Sequence, residues 1–94
     1  MTMFTDLTLL RGFVSIVDSG SISAAARHLH LTQSALSRRL QSLEDQCGTV
    51  LLRRDTHRMR LTDTGHRLLA DARALLALAE ESEHRLRKDR KSVV

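Results

Sequence analysis

Residues 20–40 have the sequence GSISAAARHLHLTQSALSRRL, and this stretch decides the fold. Its first part predicts a short helix from Ser23 to Leu29 with Ser23 as its N-cap, because a serine oxygen can accept an unpaired amide of the first turn. After a short connection, a second helix is predicted from Gln33 to Gln46, with Thr32 as its N-cap. Two helices joined by so tight a turn are typical of a helix-turn-helix unit.

The predicted second helix has two chemically different faces. At about 100° per residue, its aliphatic residues fall on one line, and small polar groups with one arginine fall on the opposite line. The first line consists of Leu36, Leu40, Leu43 and Cys47, and the second of Ser34, Ser37, Arg38, Gln41 and Asp45. The first face suits a protein core, and the second is available to a partner.

The polar face predicts contact with DNA. In a helix-turn-helix unit the second helix enters the major groove, and residues near its N-terminus reach the base edges. Gln can pair with adenine and Arg with guanine through two hydrogen bonds each, and Ser suits several base edges. The alternative is a helix face that is merely solvated. The candidate DNA-binding residues of this helix are Thr32, Gln33, Ser34, Ser37, Arg38 and Gln41.

The segment after this helix favours the DNA interpretation. Val50–Leu52 and Met59–Leu61 predict two short strands. They flank a polar, basic tip with the sequence DTHR at residues 55–58. A basic hairpin in this place is typical of a wing, which reaches into the minor groove or contacts the DNA backbone. The candidate contacts of the wing are Arg54, His57, Arg58 and Arg60.

One helix precedes this unit. Residues 7–18 are predicted to be helical because Leu10, Phe13, Val14 and Val17 recur at helical spacing. These four residues form one apolar stripe, which predicts that the helix packs on the core of the unit.

A long helix is predicted from Asp63 to about Arg90, with Thr62 as its N-cap. Its Leu and Ala residues recur in steps of four and three, which is a heptad-like seam. The seam is longer than so small a domain can cover, so it is predicted to pair with the same helix of a second chain. The candidate dimerisation residues are Leu68, Ala72, Leu75, Leu76, Ala79 and Leu86.

The charge of the chain indicates a polyanionic partner. The 94 residues carry a net charge of +4, and 13 of the 15 basic residues are arginines. Between residues 21 and 62 there are seven arginines and only three acidic residues. Positive charge is therefore concentrated where DNA contact is predicted.

Other classes of function find no support in the sequence. The five His follow neither the HExxH pattern nor any Cys/His zinc spacing, and Cys47 is the single cysteine, so no metal or cofactor is expected. There is no nucleophile elbow and no Gly-rich phosphate loop, so no enzyme is expected. Neither a membrane span nor a secretory signal is evident, and a cytoplasmic, nucleoid-associated protein is the expectation.

The sequence resembles the LysR-type bacterial transcriptional regulators over about residues 7–70. The resemblance is carried by Phe13-Val14, by residues 20–40, by Leu43-Glu44 and Gly48, by LLRR at 51–54 and by LTDTG at 61–65. Similarity to that family implies that Gln33, Ser34, Ser37 and Arg38 lie near bases or phosphates. It also implies that the tip at His57-Arg58 reads the minor groove, and that the long last helix pairs two subunits.

The sequence departs from the family pattern in a few places. Ser34 stands where the family often has Pro, Cys47 replaces a usual Leu, and Leu52 replaces a frequent Phe. The family also has a C-terminal effector-binding domain, which these residues do not include. We therefore expect an excised domain, on which a small-molecule effector acts only through the part that is absent.

These observations predict a mainly α fold: a winged helix-turn-helix domain over residues 5–62, with three helices and a two-stranded β wing, then a dimerisation helix over 63–90 and a disordered tail over 91–94. The predicted function is sequence-specific binding of double-stranded DNA by a dimer for transcriptional regulation. Two alternatives stay open. One is another winged-helix regulator of the ModE-like kind, and the other is a protein-interaction module that uses the 63–90 helix without binding DNA.

Overall fold

The computed structural model describes residues 7–55 and 58–92 of the chain. Its elements are α1 Leu7–Ser19, α2 Ile22–His28, α3 Gln33–Cys47, β1 Leu52–Arg54, β2 Met59–Leu61 and α4 Asp63–Ser92. The predicted fold class, a mainly α winged helix-turn-helix followed by a long helix, is confirmed. Because α4 continues to Ser92, the start of the predicted tail is helical, and residues 93–94 lie outside the described residues.

The core lies where the first three helices meet the wing and the start of α4, and all but one of its residues are aliphatic. Its buried side chains are Leu10, Phe13, Ile16, Ile22, Ala25, Ala26, Leu36, Leu40, Leu43, Leu51, Leu52, Leu68 and Ala72. In α1 Ile16 is fully buried together with Leu10 and Phe13, whereas Val14 and Val17 are only half-buried. The predicted stripe of α1 therefore omitted one of its central core residues.

The start of α2 differs from the prediction, because Ser21 rather than Ser23 is the N-cap. The Ser21 hydroxyl accepts the amide of Ala24 at 3.1 Å. The physical reason is Ile22, which is buried in the core as the first residue of the helix. Burying this side chain offsets the cost of fixing an additional helical residue.

The turn between α2 and α3 passes through a left-handed residue. His30 has a φ of 58°, a backbone conformation that residues other than glycine seldom adopt. The amide of Leu31 donates to the carbonyl of Ala26 at 2.8 Å and closes the turn. Thr32 then caps α3 as predicted, because its hydroxyl accepts the amide of Ala35 at 3.1 Å.

The first strand of the wing lies further along the chain than predicted. The ladder joins Leu52 to Leu61, Arg53 to Arg60 and Arg54 to Met59 in antiparallel register. Val50 and Leu51 are outside it, and their carbonyl oxygens accept the hydroxyl of Thr62 at 2.7 and 3.3 Å. Residues 50–52 form the base of the hairpin, and we call them the wing root.

The start of α4 is packed tightly against the wing root. Thr62 is the N-cap as predicted, and its hydroxyl accepts the amide of Gly65 at 3.0 Å. A Cβ at position 65 would lie less than 3.0 Å from the carbonyl oxygen of Leu51. Only glycine therefore fits at this position without displacing backbone.

Two residues of the predicted dimer seam belong to the chain's own core, which corrects that part of the prediction. Leu68 and Ala72 are 7% and 0% exposed, because the first turns of α4 pack on the domain. Further along, Leu75, Leu78 and Leu86 are 37%, 54% and 63% exposed. The apolar surface that α4 leaves exposed therefore begins near Leu75.

Candidate nucleic-acid interface

The six candidate residues at and along α3 all lie on the solvent side. Thr32, Gln33, Ser34, Ser37, Arg38 and Gln41 are exposed. On the opposite side Leu36 and Leu43 are completely buried and Leu40 nearly so. The two predicted faces are therefore present, one anchored in the core and one open to a ligand.

The first turn of α3 has unpaired backbone amides. Thr32 satisfies the amide of Ala35, but no group within the described ranges accepts the amides of Gln33 and Ser34. The hydroxyls of Thr32 and Ser34 lie 3.4 Å apart and share one hydrogen bond. Free amides at the start of a helix favour an anion such as a phosphate group.

Two side chains of the exposed face are held in place by local hydrogen bonds. Nε of Arg38 donates to the carbonyl of Ser34 at 3.5 Å. Nε2 of Gln41 donates to Oδ1 of Asp45 at 2.9 Å. Both bonds are exposed to water and contribute little to stability. The terminal guanidinium nitrogens of Arg38 and the amide oxygen of Gln41 remain available for base edges.

A hollow of about 280 Å³ brings the start of α3 and the wing together. Gln33 lines it from α3, and Arg54 and Arg58 line it from the wing. Within the described part of the chain, no carboxylate pairs with either of these arginines. Asp55 also lines the hollow, so two guanidinium groups share it with one carboxylate, and this excess of positive charge favours a phosphate or a base edge as ligand.

The same hollow contains two hydroxyl groups that the sequence analysis did not include among the candidates. Ser21 and Ser23 line it at the start of α2. The oxygen of Ser21 is occupied as the N-cap, whereas Ser23 is half-buried and its hydroxyl makes no hydrogen bond to another described residue. Ser23 was predicted only as the N-cap of α2 and Ser21 had no predicted role, and their distance from the wing in sequence gave no other signal.

The structure places Arg60 away from this hollow. Arg60 stands opposite Arg53 in the ladder, on the strand face opposite to that of Arg54. Its Nη1 lies 3.7 Å from Oδ2 of Asp55, an exposed ion pair. Arg60 and Arg53 line a broader groove of about 930 Å³ along the wing. The remaining candidate of the wing, His57, lies outside the described residues.

The other reactive groups do not assemble a chemical site in the described residues. Burial raises the pKa of the Cys47 thiol, and the charge of Glu44 raises it further, so the thiol stays protonated. Within residues 7–55 and 58–92, no three His, Cys, Asp or Glu side chains are grouped as metal ligands. In the same ranges no helix is long and apolar enough to cross a membrane.

Comparison with a protein family gives a match over most of the chain. The family described as "Bacterial regulatory helix-turn-helix protein, lysR family" matches residues 7–66. This range contains α1 to α3, the wing and the first turn of α4, so it includes every candidate DNA-binding residue.

Individual relatives agree with the family match. The transcriptional regulator TcbR of Pseudomonas sp. (strain P51) is 41% identical over 78 residues, which are 83% of this chain and 26% of TcbR. ClcR of Pseudomonas putida is 42% identical over 78 residues, with the same coverage of 83% and 26%. The chain thus spans about a quarter of the length of these relatives.

Solved structures of similar domains include complexes with DNA. The DNA-binding domain of CbnR, solved with DNA, is 38% identical, with a TM-score of 0.82 over 90% of this chain and 98% of that one. The DNA-binding domain of BenM, solved with its catB site 1 DNA, is 32% identical, with a TM-score of 0.86 over 89% of this chain and 94% of that one.

Proposed function

We propose, from the premise that the chain belongs to the lysR family of bacterial regulatory helix-turn-helix proteins, that it binds double-stranded DNA sequence-specifically as a homodimer and so regulates transcription. The family is one of transcriptional regulators and not of enzymes. Membership in it also decides against the ModE-like alternative. The observation that carries the proposal is the hollow where Gln33 of α3 meets Arg54 and Arg58 of the wing.

In the proposed complex, α3 lies in the major groove and the wing lies beside it. The exposed face from Gln33 to Gln41 has no bulky apolar side chain, so it can approach base edges without burying apolar surface. Arg54 and Arg58 then meet the backbone or the adjacent minor groove, where arginine is attracted by the negative potential. Support comes from the similar domains of CbnR and BenM, which were solved with DNA.

The proposed dimer uses the exposed part of α4. Leu75 and Leu86 lie along one line with the half-buried Ala79 between them, and Leu76 is half-buried beside them. Burying a leucine contributes roughly 1.5–3 kcal/mol, so a few such residues per chain can offset the cost of association. A dimer also suits the function, because two recognition helices can bind a two-fold site.

Charge contributes less to the dimer than the apolar stripe does. Acidic residues precede basic ones along α4, which favours an antiparallel partner helix. However, Arg85 already lies 4.0 Å from Glu81, and Arg87 lies 3.3 Å from Glu83, in the same helix. These exposed pairs reduce the charge left for a partner, and such pairs are weak.

The location and control of the full-length regulator follow from the proposed role. A bacterial regulator meets its DNA at the nucleoid, so we propose a cytoplasmic location. We also propose that any small-molecule effector binds outside residues 7–92, because the TcbR and ClcR chains are about four times as long as the part matched here.

The test is selection of bound duplexes from a random pool, followed by affinity measurement on the selected site. We expect enrichment of one motif repeated with two-fold symmetry, with half-site centres about one helical turn apart or a multiple of that distance. Arg38→Ala should weaken binding to the selected site. The matched control is Arg85→Ala on α4, which removes the same charge from a residue far from the proposed DNA interface.

A pool without enrichment, together with no salt-dependent affinity for any duplex, would contradict the proposed function. If such a chain still dimerised through α4, the alternative of a protein-interaction module would stand. Selection of a single half-site without a symmetric partner would contradict the proposed dimer but leave the proposal of sequence-specific binding intact.

A further inference from the structure

We infer that Glu44 is a positioning residue for DNA binding: its carboxylate fixes the wing against α3 and so places Arg54 and Arg58 beside Gln33. The inference rests on the proposed function, and it concerns a residue that faces neither DNA groove in that proposal. In the sequence, Glu44 carries part of the family resemblance, and no role was predicted for it.

Glu44 bridges α3 and the wing root through a single oxygen. Its Oε2 accepts the amide of Leu51 at 2.7 Å and the amide of Leu52 at 3.3 Å. Both leucines are buried, at 0% and 6% exposure, so water does not readily replace this acceptor. An ionised acceptor makes stronger hydrogen bonds to amides than a neutral one, which suits a contact that must hold its geometry.

The opposite side of the wing root is bound by Thr62. Its hydroxyl donates to the carbonyls of Val50 and Leu51, and its amide donates to the carbonyl of Leu51 at 3.0 Å. Glu44 of α3 therefore binds two amides of the root, those of Leu51 and Leu52, and Thr62 binds two of its carbonyls, those of Val50 and Leu51. This arrangement also explains why the ladder begins only at Leu52.

The position of the wing arginines depends on this root. β1 runs directly from Leu52 to Arg54, and the hollow shared with Gln33 lies on that side of the hairpin. The two hydrogen bonds of Glu44 add to the apolar packing of Leu51 and Leu52, which lie in the same core as the buried leucines of α3. Without Glu44 the root would keep this packing but lose the directional bonds that fix the angle of the wing to α3, and α3 itself would keep its core face.

A double-mutant cycle on a selected duplex tests the inference. Arg58→Ala is measured in the wild type and in Glu44→Ala, and Arg38→Ala is measured in the same two backgrounds. We expect Arg58→Ala to weaken wild-type binding roughly five- to tenfold and to have almost no effect in Glu44→Ala. Arg38→Ala should cost the same factor in both backgrounds, because Arg38 is placed by α3 alone.

Glu44→Gln is the matched control, because it removes the same charge as Glu44→Ala. Its amide oxygen can take the place of Oε2 and accept both amides, so it should restore most of the coupling to Arg58. Amide hydrogen exchange on the free proteins gives a second measurement. We expect faster exchange at Leu51 and Leu52 in Glu44→Ala but near-wild-type exchange in Glu44→Gln.

The outcomes separate this inference from the proposed function. Equal losses for Arg58→Ala in the wild type and in Glu44→Ala, with Glu44→Ala still folded by circular dichroism, would overturn the role of Glu44 while leaving DNA binding intact. No loss for Arg58→Ala in the wild type would overturn it as well, because there would be no wing contact to position. A wild-type chain that binds no duplex would contradict the proposed function itself.

Discussion

Arg73 of α4 donates two hydrogen bonds to the carboxylate of Asp18 at the end of α1, at 2.7 and 3.2 Å. The pair joins residues 55 positions apart in the chain and lies where α4 leaves the domain. These hydrogen bonds hold the pKa of Asp18 below its ordinary value of 3.8, against a smaller opposing effect of burial. The pair is therefore a pH-dependent ion pair that links the DNA-binding unit to the long helix.

The contribution of Asp18 to stability should disappear in acid. Because its pKa is lower in the folded state, the stabilisation is complete above the ordinary value of 3.8 and is lost as the pH falls through the folded-state value. We expect Asp18→Asn to lower the free energy of unfolding slightly at pH 7 and to match the wild type at the lowest pH. Urea unfolding across this range measures the difference, and a difference that does not change with pH would contradict the assignment.

Arg38→Ala should relax base preference at one position of the site. If its free guanidinium nitrogens bind guanine through two hydrogen bonds, the loss is roughly 1–3 kcal/mol on the selected duplex. Binding curves on duplexes with each base at that position give the result. Equal weakening on all four duplexes would mean that Arg38 contacts a phosphate instead.

Arg58→Ala should reduce the salt dependence of binding. An arginine that neutralises one phosphate releases about one counterion, so the slope of log affinity against log salt should fall by about one unit per bound subunit. The measurement is titration of the selected duplex at several salt concentrations. An unchanged slope would mean that the tip of the wing stays in solvent.

Gly65→Ala should destabilise the fold much more than Gly12→Ala. At position 65 the new Cβ meets the carbonyl oxygen of Leu51, which is backbone and cannot move without disturbing the wing root. At position 12 it would lie 3.1 Å from Cδ1 of Leu36, the far end of a flexible side chain. We expect a loss of roughly 1–3 kcal/mol or more at position 65.

The loss at position 12 should be smaller, because the helix propensity of alanine, about 1 kcal/mol better than that of glycine, offsets the contact. Thermal melts of both variants make the comparison. Equal destabilisation of Gly65→Ala and Gly12→Ala would contradict the explanation that the Leu51 carbonyl leaves no room for a Cβ at position 65.

Leu86→Glu should weaken self-association without unfolding the domain. Leu86 is 63% exposed and far from the core, so the charge costs little in the monomer but much in an apolar seam. Ala77→Glu is the matched control, because it adds the same charge on another side of the exposed helix. Analytical ultracentrifugation should show a monomer for Leu86→Glu only. A monomeric wild type at micromolar concentration would contradict the proposed dimer.

The parts of the fold that were predictable are those with local signals. The start of α3 followed from Thr32 and a regular apolar line, because capping and helical spacing involve residues within one or two turns. The second strand of the wing was predicted at its observed bounds. The exposed face from Gln33 to Gln41 was correct for the same reason, since one line of leucines determines which side of a helix is buried.

The parts that could not be predicted depend on contacts between distant residues. Val50, Leu51 and Leu52 are all apolar, so no alternation marks where β1 begins, and its start depends on hydrogen bonds that the wing root donates to Glu44 and accepts from Thr62. Along α4, an intrachain core contact and a dimer contact require the same spacing of leucine and alanine. Only the tertiary packing assigns Leu68 and Ala72 to the chain's own core.

The attachment of α4 also has a mechanical consequence. The helix is fixed to the domain through Leu68, Ala72 and Arg73, and it then continues to Ser92 as one element. At 1.5 Å per residue, this outer segment has a length of about 30 Å, so a rotation of about 10° at its attachment displaces its end by about 5 Å. The long helix is therefore a lever arm, through which a displacement of a few ångströms at its far end becomes a small rotation where α4 packs on α1 and β2.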